Sequence, residues 1–357
     1  MRIVVAMSGG VDSSVAAAQL VDAGHEVVGL SMQLYDQREG MPHSFGRCCT
    51  LDDLHDARQV ASVIGIPHYV LNLERQFQAT VVDNFVKEYA AGRTPIPCSH
   101  CNSDLKFSTL VNRAEGFGAD IVATGHYARV DRTAQGRYRL RRGKDGQKDQ
   151  SYFLFALTQE QLAHAAFPVG DMAKAEVRAY AHQRGLPVAD KPDSQEICFV
   201  PDGDYARFVE ERLPEADRGG VITDVAGRVL GRHDGVHRYT VGQRKGLRLS
   251  TTTPLYVLEI KAESRTLVVG ARAALEEQGC DVIEVNWTGG VPPAGPIDVG
   301  VQIRHRHEPA AATVIPAEPG RAAVTFKVPQ RAVTPGQAAV FYDGDEVVGG
   351  GWIANQD

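Results

Sequence analysis

The sequence predicts an α/β domain built on a parallel sheet, followed by a small β-rich module and a compact β-barrel. Three observations lead there. Short β-branched runs alternate with helical patterns through the first half of the chain. The first of these runs passes straight into a glycine turn and a helix. Beyond about Phe199 helical periodicity fades into short alternating strands separated by glycine turns.

Taken in order, "RIVVAM" reads as a strand, "SSVAAAQLVDAG" as a helix and "EVVGLSMQLY" as a second strand. "DDLHDARQVASVIG" is apolar at helical spacing and leads to a strand at "HYVLNLE". Strand, helix, strand, helix in that order folds as a parallel sheet with helices on its faces. Further on, "FQATVVDNFVKEYAAG" and "DLKFSTLVNRAEGFG" read as helices, "DIVATGHYARV" as one strand, and "KAEVRAYAHQRG" as a helix closed by Gly185. "GRVLGRHDGVHRYTVGQRKGLRL" and "PLYVLEIKAESRTLVVGA" suggest the small β module. The proline-rich "TGGVPPAGP" reads as a linker, or as turns opening the last module. There "VGVQIRHRH", "AAVTFKV", "QAAVFY" and "DEVVGGGWI" alternate at the period of half-buried strands. The expected boundaries are 1–205, 206–275 and 276–357.

At 357 residues, 43% hydrophobic and 23% charged, the chain falls in the ordinary soluble class. A net charge of -6 excludes a protein coated in basic residues, so a nucleic-acid partner would be met by local patches. The apolar run of "MRIVVAMSGG" is a strand's length and ends in glycines, which fits neither a signal peptide nor a membrane span. Six cysteines, unevenly spaced, are too few for a disulfide scaffold, and a cytoplasmic protein with mostly reduced thiols is expected.

"SGGVDSS", Ser8 to Ser14, joins the first strand to the first helix. Gly9 and Gly10 allow close backbone approach, and the amides of the turn and helix N-terminus carry partial positive charge, which makes an anion cradle. The segment has neither the Gly-Lys-Ser/Thr ending of a Walker loop nor G-x-G-x-x-G. Asp12, standing where a lysine would be helpful, would repel phosphate unless Mg2+ lies between them. The plainer alternative is that Asp12 or Ser13 caps the helix. S-G-G-x-D-S after an N-terminal strand resembles the pyrophosphatase loop of the ATP-pyrophosphatase superfamily, which implies ATP cleavage between the α and β phosphates and adenylation of a substrate oxygen.

Cys98 and Cys101 lie in "TPIPCSHCNSDLKF", and Cys198 in "DKPDSQEICFVP". A C-x-x-C pair is also compatible with a thioredoxin-like couple or half a zinc site completed by Cys48 and Cys49. Adjacent cysteines fit one tetrahedral metal awkwardly, and Pro95 and Pro97 precede the pair instead of separating it. Cys48, Cys49 and Cys280 are read as structural or incidental, with the loop of the adjacent pair able to approach the site. Both cysteine segments resemble those of bacterial tRNA-specific 2-thiouridylases, as do "AMSGGVDSS", "ATGHYAR", "KDQSYFL", "YTVGQRKGL" and "VTPGQAAVFY". The matches occur in order along nearly the whole chain.

That resemblance implies an N-terminal Rossmann-like parallel sheet of the adenine nucleotide alpha hydrolase kind, and a tRNA-uridine 2-sulfurtransferase that converts ATP to AMP and pyrophosphate. It implies ATP contacts at Ala6, Met7, Ser8, Gly9, Gly10, Val11, Asp12, Ser13, Met32 and Gly125. Cys198 corresponds to the persulfide carrier and Cys101 to the partner nucleophile, with a Cys101–Cys198 disulfide as the by-product of a turnover. This chain departs from one common form of the family at Cys98, where that form has an aspartate. Three thiols at Cys98, Cys101 and Cys198 are compatible with an iron–sulfur cluster carrying sulfide on an open iron, which is a second mechanism.

The implied tRNA contacts are Ile96, Pro97, Cys98, His126, Lys148, Asp149, Gln150, Arg304, His305 and Gln337. Arg129, Arg132, Arg137, Arg139, Arg141, Arg142, Lys144 and Lys148 are opposed within their own stretch only by Asp131 and Asp145, which suits phosphate contacts. The expected partners are tRNA, presenting a splayed wobble uridine in its anticodon loop, and a sulfur donor or relay protein, with a monomer expected and no membrane. Two rivals have distinct signatures. A tRNA-binding protein without sulfur chemistry would not need Asp12, Cys101 and Cys198, and a small-molecule adenylating synthetase would not need the arginine-rich stretch or the barrel.

Overall fold

The computed structural model describes residues 1–35, 51–193, 197–200, 203–213 and 219–355. Cys48 and Cys49 lie outside them.

Strands β1 (Arg2–Ala6), β2 (Glu26–Gln33), β3 (His68–Asn72) and β4 (Ile121–Thr124) pair in parallel, and Val4 stands opposite both Val28 and Val122. Alternation along β1 sorts its side chains between two cores. Ile3 and Val5 meet Ala16, Ala17, Ala57 and Val60 from α1 (Val11–Asp22) and α2 (Leu51–Ile64), whose small residues let the helices approach closely. Val4 faces a layer with Phe77, Phe85, Leu105 and Cys101. Burying each large apolar side chain contributes ~1.5–3 kcal/mol, so both helical layers are held firmly to the sheet.

"DIVATGHYARV" is two strands in two sheets, not one. The chain breaks after Thr124 and re-forms as β5 (Ala128–Arg132), which hairpins with β6 (Tyr138–Arg142) away from the parallel sheet. β7 (Ala165–Ala166) then returns to pair with β4, giving the order β3-β2-β1-β4-β7.

The central module is a four-stranded sheet of β8 (Gly220–Asp224), β9 (Val229–His233), β10 (Tyr256–Lys261) and β11 (Thr266–Gly270) around Ile222, Val257, Leu267 and Val269. The last module comprises β12 (Glu276–Trp287), β13 (Ile297–Gln302), β14 (Ala310–Pro316), β15 (Arg321–Arg331), β16 (Ala338–Asp343) and β17 (Glu346–Ile353). Pairing of β12 with β17 closes these into an antiparallel barrel. The proline-rich segment is the turn between β12 and β13, inside the barrel, and so does not link modules.

The β5–β6 hairpin crosses the linear boundary. β12 pairs along Gly349 to Ile353 of β17, leaving Glu346 and Val347 to take Arg141 and Leu140 of β6. The first domain thus covers the part of the β17 edge that barrel closure leaves open. Sheet membership and sequence boundaries differ here because hydrogen-bonding partners are chosen by edges, which a linear reading does not see.

Candidate active site

The phosphate loop lies where β1 meets α1. Ser8 N donates to Ser13 Oγ (3.2 Å), and Ser13 Oγ and Ser14 Oγ donate to Gly10 O (3.1 and 2.8 Å), which closes the turn on itself. Gly9 has φ +75°, and a Cβ there would lie 2.1 Å from Asp53 O. At Gly125 a Cβ would lie 2.4 Å from Ser13 N, so only glycine lets the end of β4 rest against the helix N-terminus. Val11, Ser13 and Met7 are buried, as is Met32 near the end of β2.

Asp12 does not face the loop without a cation. Lys174, opening the helix Lys174–Gln183, donates to both Asp12 oxygens (2.8 and 2.9 Å), and Tyr127 Oη donates to Asp12 Oδ1 (2.7 Å). Lys174 also meets Asp193 Oδ1 at 2.7 Å, and Asp193 is further held by Lys148 (2.8 Å) and Arg178 (3.2 Å). Burial alone would raise the Asp193 pKa, but hydrogen bonds and charge from Lys148 and Lys174 bring it down to about 2. Lys191 donates to Gly9 O (3.1 Å), Asp53 (2.6 Å) and Asp56 (2.5 Å), tying the phosphate loop to α2.

Lys174, Lys191, Asp193 and Tyr127 were not singled out by sequence reasoning. The last three stand inside quoted motifs, and the only signal for Lys174 was a charge at a helix start. Lys191 and Asp193 precede Cys198 in the chain; Lys191 bonds the phosphate loop directly, and Asp193 reaches it through Lys174.

Cys98 lies in the short helix Pro97–His100, and Cys101 begins a π-helical stretch, Cys101–Phe107. Such i→i+5 turns are rare and frequent at functional sites. Cys101 is buried and Cys98 exposed. Cys198, half-buried, packs against the same apolar cluster that contains Cys101, together with Phe199, Phe77 and Phe85. Two cysteines 97 positions apart in the sequence, counted as 198 less 101, are thereby brought to one core. Among the described residues no three Cys, His, Asp or Glu side chains converge closely enough to hold a metal ion. Cys280 lies in β12 of the barrel, where burial pushes its thiol up to about 12.

The residues expected against tRNA divide. Arg304 and His305 are exposed in the β13–β14 connection, and the His305 ring lies 4.7 Å from that of Phe153. Phe153 O in turn accepts from Asn102 Nδ2 at 3.2 Å, so this barrel loop and the residue after Cys101 share a neighbour. Ile96 and Pro97 are buried beside exposed Cys98.

Other side chains in the set have partners within the chain. Asp149 accepts from Gly143 N, Ser151 N and Ser151 Oγ, and Gln150 bonds both backbone groups of Tyr127. Gln337 Nε2 donates to Thr94 O at 2.9 Å. His126 Nδ1 lies 2.7 Å from Thr124 Oγ1, and burial, aided by Lys106, lowers its pKa to about 3.

The arginine-rich stretch is the β5–β6 hairpin, and acids remote in sequence neutralise much of it. Arg129 meets Asp345 (2.7 Å), Arg139 meets Asp131 (2.6 Å) and Glu346 (3.7 Å), and Arg141 meets Asp131 (3.1 Å) and Asp345 (3.2 Å). Arg142 stacks 3.8 Å over Tyr342 and pairs with Asp149. Several of these pairs join the hairpin to the barrel.

No described helix is long and apolar enough to cross a membrane. Residues 1–202 match the family model described as "tRNA methyl transferase HUP domain", residues 206–271 the "tRNA methyl transferase PRC-barrel domain", and residues 277–353 the "Aminomethyltransferase beta-barrel domain". The chain is 54% identical to the tRNA-specific 2-thiouridylase MnmA of Geotalea uraniireducens, over 99% of this chain and 94% of that one. It is 53% identical to the protein of the same name from Geobacter metallireducens, over 99% and 96%. With the phosphate loop, both cysteine segments and all three modules in their order, the chain belongs to the tRNA-specific 2-thiouridylase family.

Proposed function

We propose that the protein replaces oxygen by sulfur at carbon 2 of the wobble uridine of tRNA, using ATP. The observation that carries this reading is the common core shared by Cys101 and Cys198 in a domain that also holds the phosphate loop. A uridine carbonyl oxygen is a poor leaving group, so O2 first attacks the α-phosphorus of ATP and pyrophosphate departs. The amides at the start of α1 and Lys174, which bonds Asp12 of the loop, support stabilisation of that leaving charge. Asp12 offers the hard carboxylate oxygens that suit Mg2+, which when bound would neutralise phosphate charge.

The terminal sulfur of a Cys198 persulfide then attacks carbon 2 and AMP leaves. The Cys101 thiolate attacks Cys198 Sγ, the S–S bond to the nucleoside breaks, and 2-thiouridine departs as a Cys101–Cys198 disulfide forms. A cellular thiol reductant returns the disulfide to two thiols, and a donor protein reloads Cys198. Exposed Arg304 and His305, close through Phe153 to Asn102, support a tRNA path from the barrel to the cysteines.

The test supplies ATP, Mg2+, a persulfide donor and unmodified tRNA, with mass spectrometry of the digested RNA. 2-Thiouridine is expected with the wild type and absent with Cys101→Ser or Cys198→Ser. Product persisting in either variant overturns the cysteine roles.

A further inference from the structure

Two contacts of the barrel with the segment bearing Cys98 and Cys101 lie outside the nucleotide and thiol chemistry. The first is Thr94. Its amide donates to Pro335 O (2.8 Å), and its carbonyl accepts from Gln337 Nε2 (2.9 Å). Its hydroxyl donates to Thr240 Oγ1 of the central module at 3.1 Å. All three modules therefore meet four residues before Cys98. A Cβ on Gly336 would lie 2.9 Å from Thr94 N, so the barrel turn lies directly against this backbone.

The second point is His100, between the two cysteines. Its ring stacks on Trp352 of β17, with centroids 4.5 Å apart and planes at 14°. Phe155 meets the same indole edge-on at 5.4 Å, which fixes its plane. On its other side His100 Nδ1 lies 2.9 Å from Asp104 Oδ2, and Asp104 Oδ1 accepts from Ser103 Oγ at 2.7 Å. The imidazole is thus held between the barrel and the first turn of the π-helix. A four-residue helix continuing into a π-helical turn has little stability of its own, so external contacts decide where its side chains lie.

We propose that Trp352 is a positioning residue for the reaction: by stacking on His100, and with Gln337 holding Thr94, the barrel sets the geometry of the turn that presents Cys101. This rests on the reading of Cys101 as the partner nucleophile. An offset aromatic stack contributes ~0.5–1.5 kcal/mol, small against global stability but large for one short turn. A displacement of about 1 Å of an attacking group costs up to about a hundredfold in rate, so loss of the stack affects turnover more than folding.

The experiment compares Trp352→Ala, Trp352→Phe, His100→Ala and the Trp352→Ala/His100→Ala double variant. Carbamidomethylation of Cys101 is timed by peptide mass spectrometry, with Cys280 as internal control, and kcat and KM are measured for ATP and tRNA. Trp352→Ala and His100→Ala are each expected to speed Cys101 modification about fivefold, as a buried thiol on a loosened turn becomes accessible. Each should lower kcat about tenfold while KM for ATP stays within about twofold. Trp352→Phe should restore both values, and the double variant should be no worse than either single one, since one contact is removed twice.

Unchanged Cys101 reactivity and kcat in His100→Ala, or losses that multiply in the double variant, overturn the proposal. His100→Ala decides the matter if Trp352→Ala fails to fold. The modification rate reads the turn without any turnover, so an active Cys101→Ser enzyme would remove the nucleophile assignment while leaving the coupling separately measurable.

Discussion

Lys174 Nζ lies 2.8 Å from Asp12 Oδ1 and 2.9 Å from Asp12 Oδ2, which places a lysine at the phosphate loop although the loop itself contains none. The charge that a Walker loop carries in its own sequence arrives here from a helix 162 positions later.

Replacing this lysine should therefore act on the nucleotide step. Lys174→Met leaves Asp12 and Asp193 with one shared cation fewer, and AMP formation is expected to fall about a hundredfold. Binding of tRNA, measured by filter retention, should change little. Normal AMP formation in this variant would remove Lys174 from the site.

His126 predicts a pH dependence of stability. Its pKa is lowered to about 3 from 6.5, so the unfolded chain binds a proton that the folded protein refuses. Its contribution is intact above about pH 6.5 and declines as pH falls toward about 3, by up to about 1.4 kcal/mol per unit. Denaturant midpoints from pH 7 to 4 should fall more steeply in the wild type than in His126→Asn. Parallel curves would show that the imidazole protonates freely when folded.

Asp193 acts in a lower window. Its folded pKa of about 2 lies below the ordinary 3.8, so its stabilisation is full above about pH 4 and disappears as pH falls toward about 2. Asp193→Asn should lower the thermal midpoint at neutral pH, and the gap to wild type should narrow once pH drops below about 4. A gap that stays constant through that range would mean the loss comes from something other than the carboxylate charge.

The arginines predict a contrast in salt dependence. Arg139 and Arg141 are ion-paired within the chain, whereas Arg304 is exposed and donates to the Arg331 carbonyl at 3.2 Å. Arg304→Gln should flatten the slope of log Kd for tRNA against log salt by about 0.7–0.9, while Arg139→Gln and Arg141→Gln leave it unchanged. An equal flattening in all three would return the hairpin to the RNA surface.

Much of the fold was legible because period and punctuation are local. β1, α1 and β2 appear where the alternation and Gly9–Gly10 put them, and the helix begun at Lys174 ends before Gly185, whose φ is +63°. "DIVATGHYARV" was misread because Thr124 and Ala128 are both buried and β-compatible, and nothing local says that they serve different sheets. The charge balance of the arginine-rich stretch was incomplete for a related reason: Asp345 and Glu346, which pair with it, are some 200 positions away.

The sequence by itself determined the order of the modules and the glycine turn that opens α1, since these are carried by residue type and short spacing, while its resemblance to the family carried the expectation for the cysteine segments. Tertiary structure alone decided that Lys174 and Tyr127 hold Asp12, that Cys101 and Cys198 share one core, and that the β5–β6 hairpin belongs to the barrel. Those facts depend on contacts between remote segments, formed when apolar faces are buried and strand edges find partners, and no local pattern encodes which remote charge or edge will arrive.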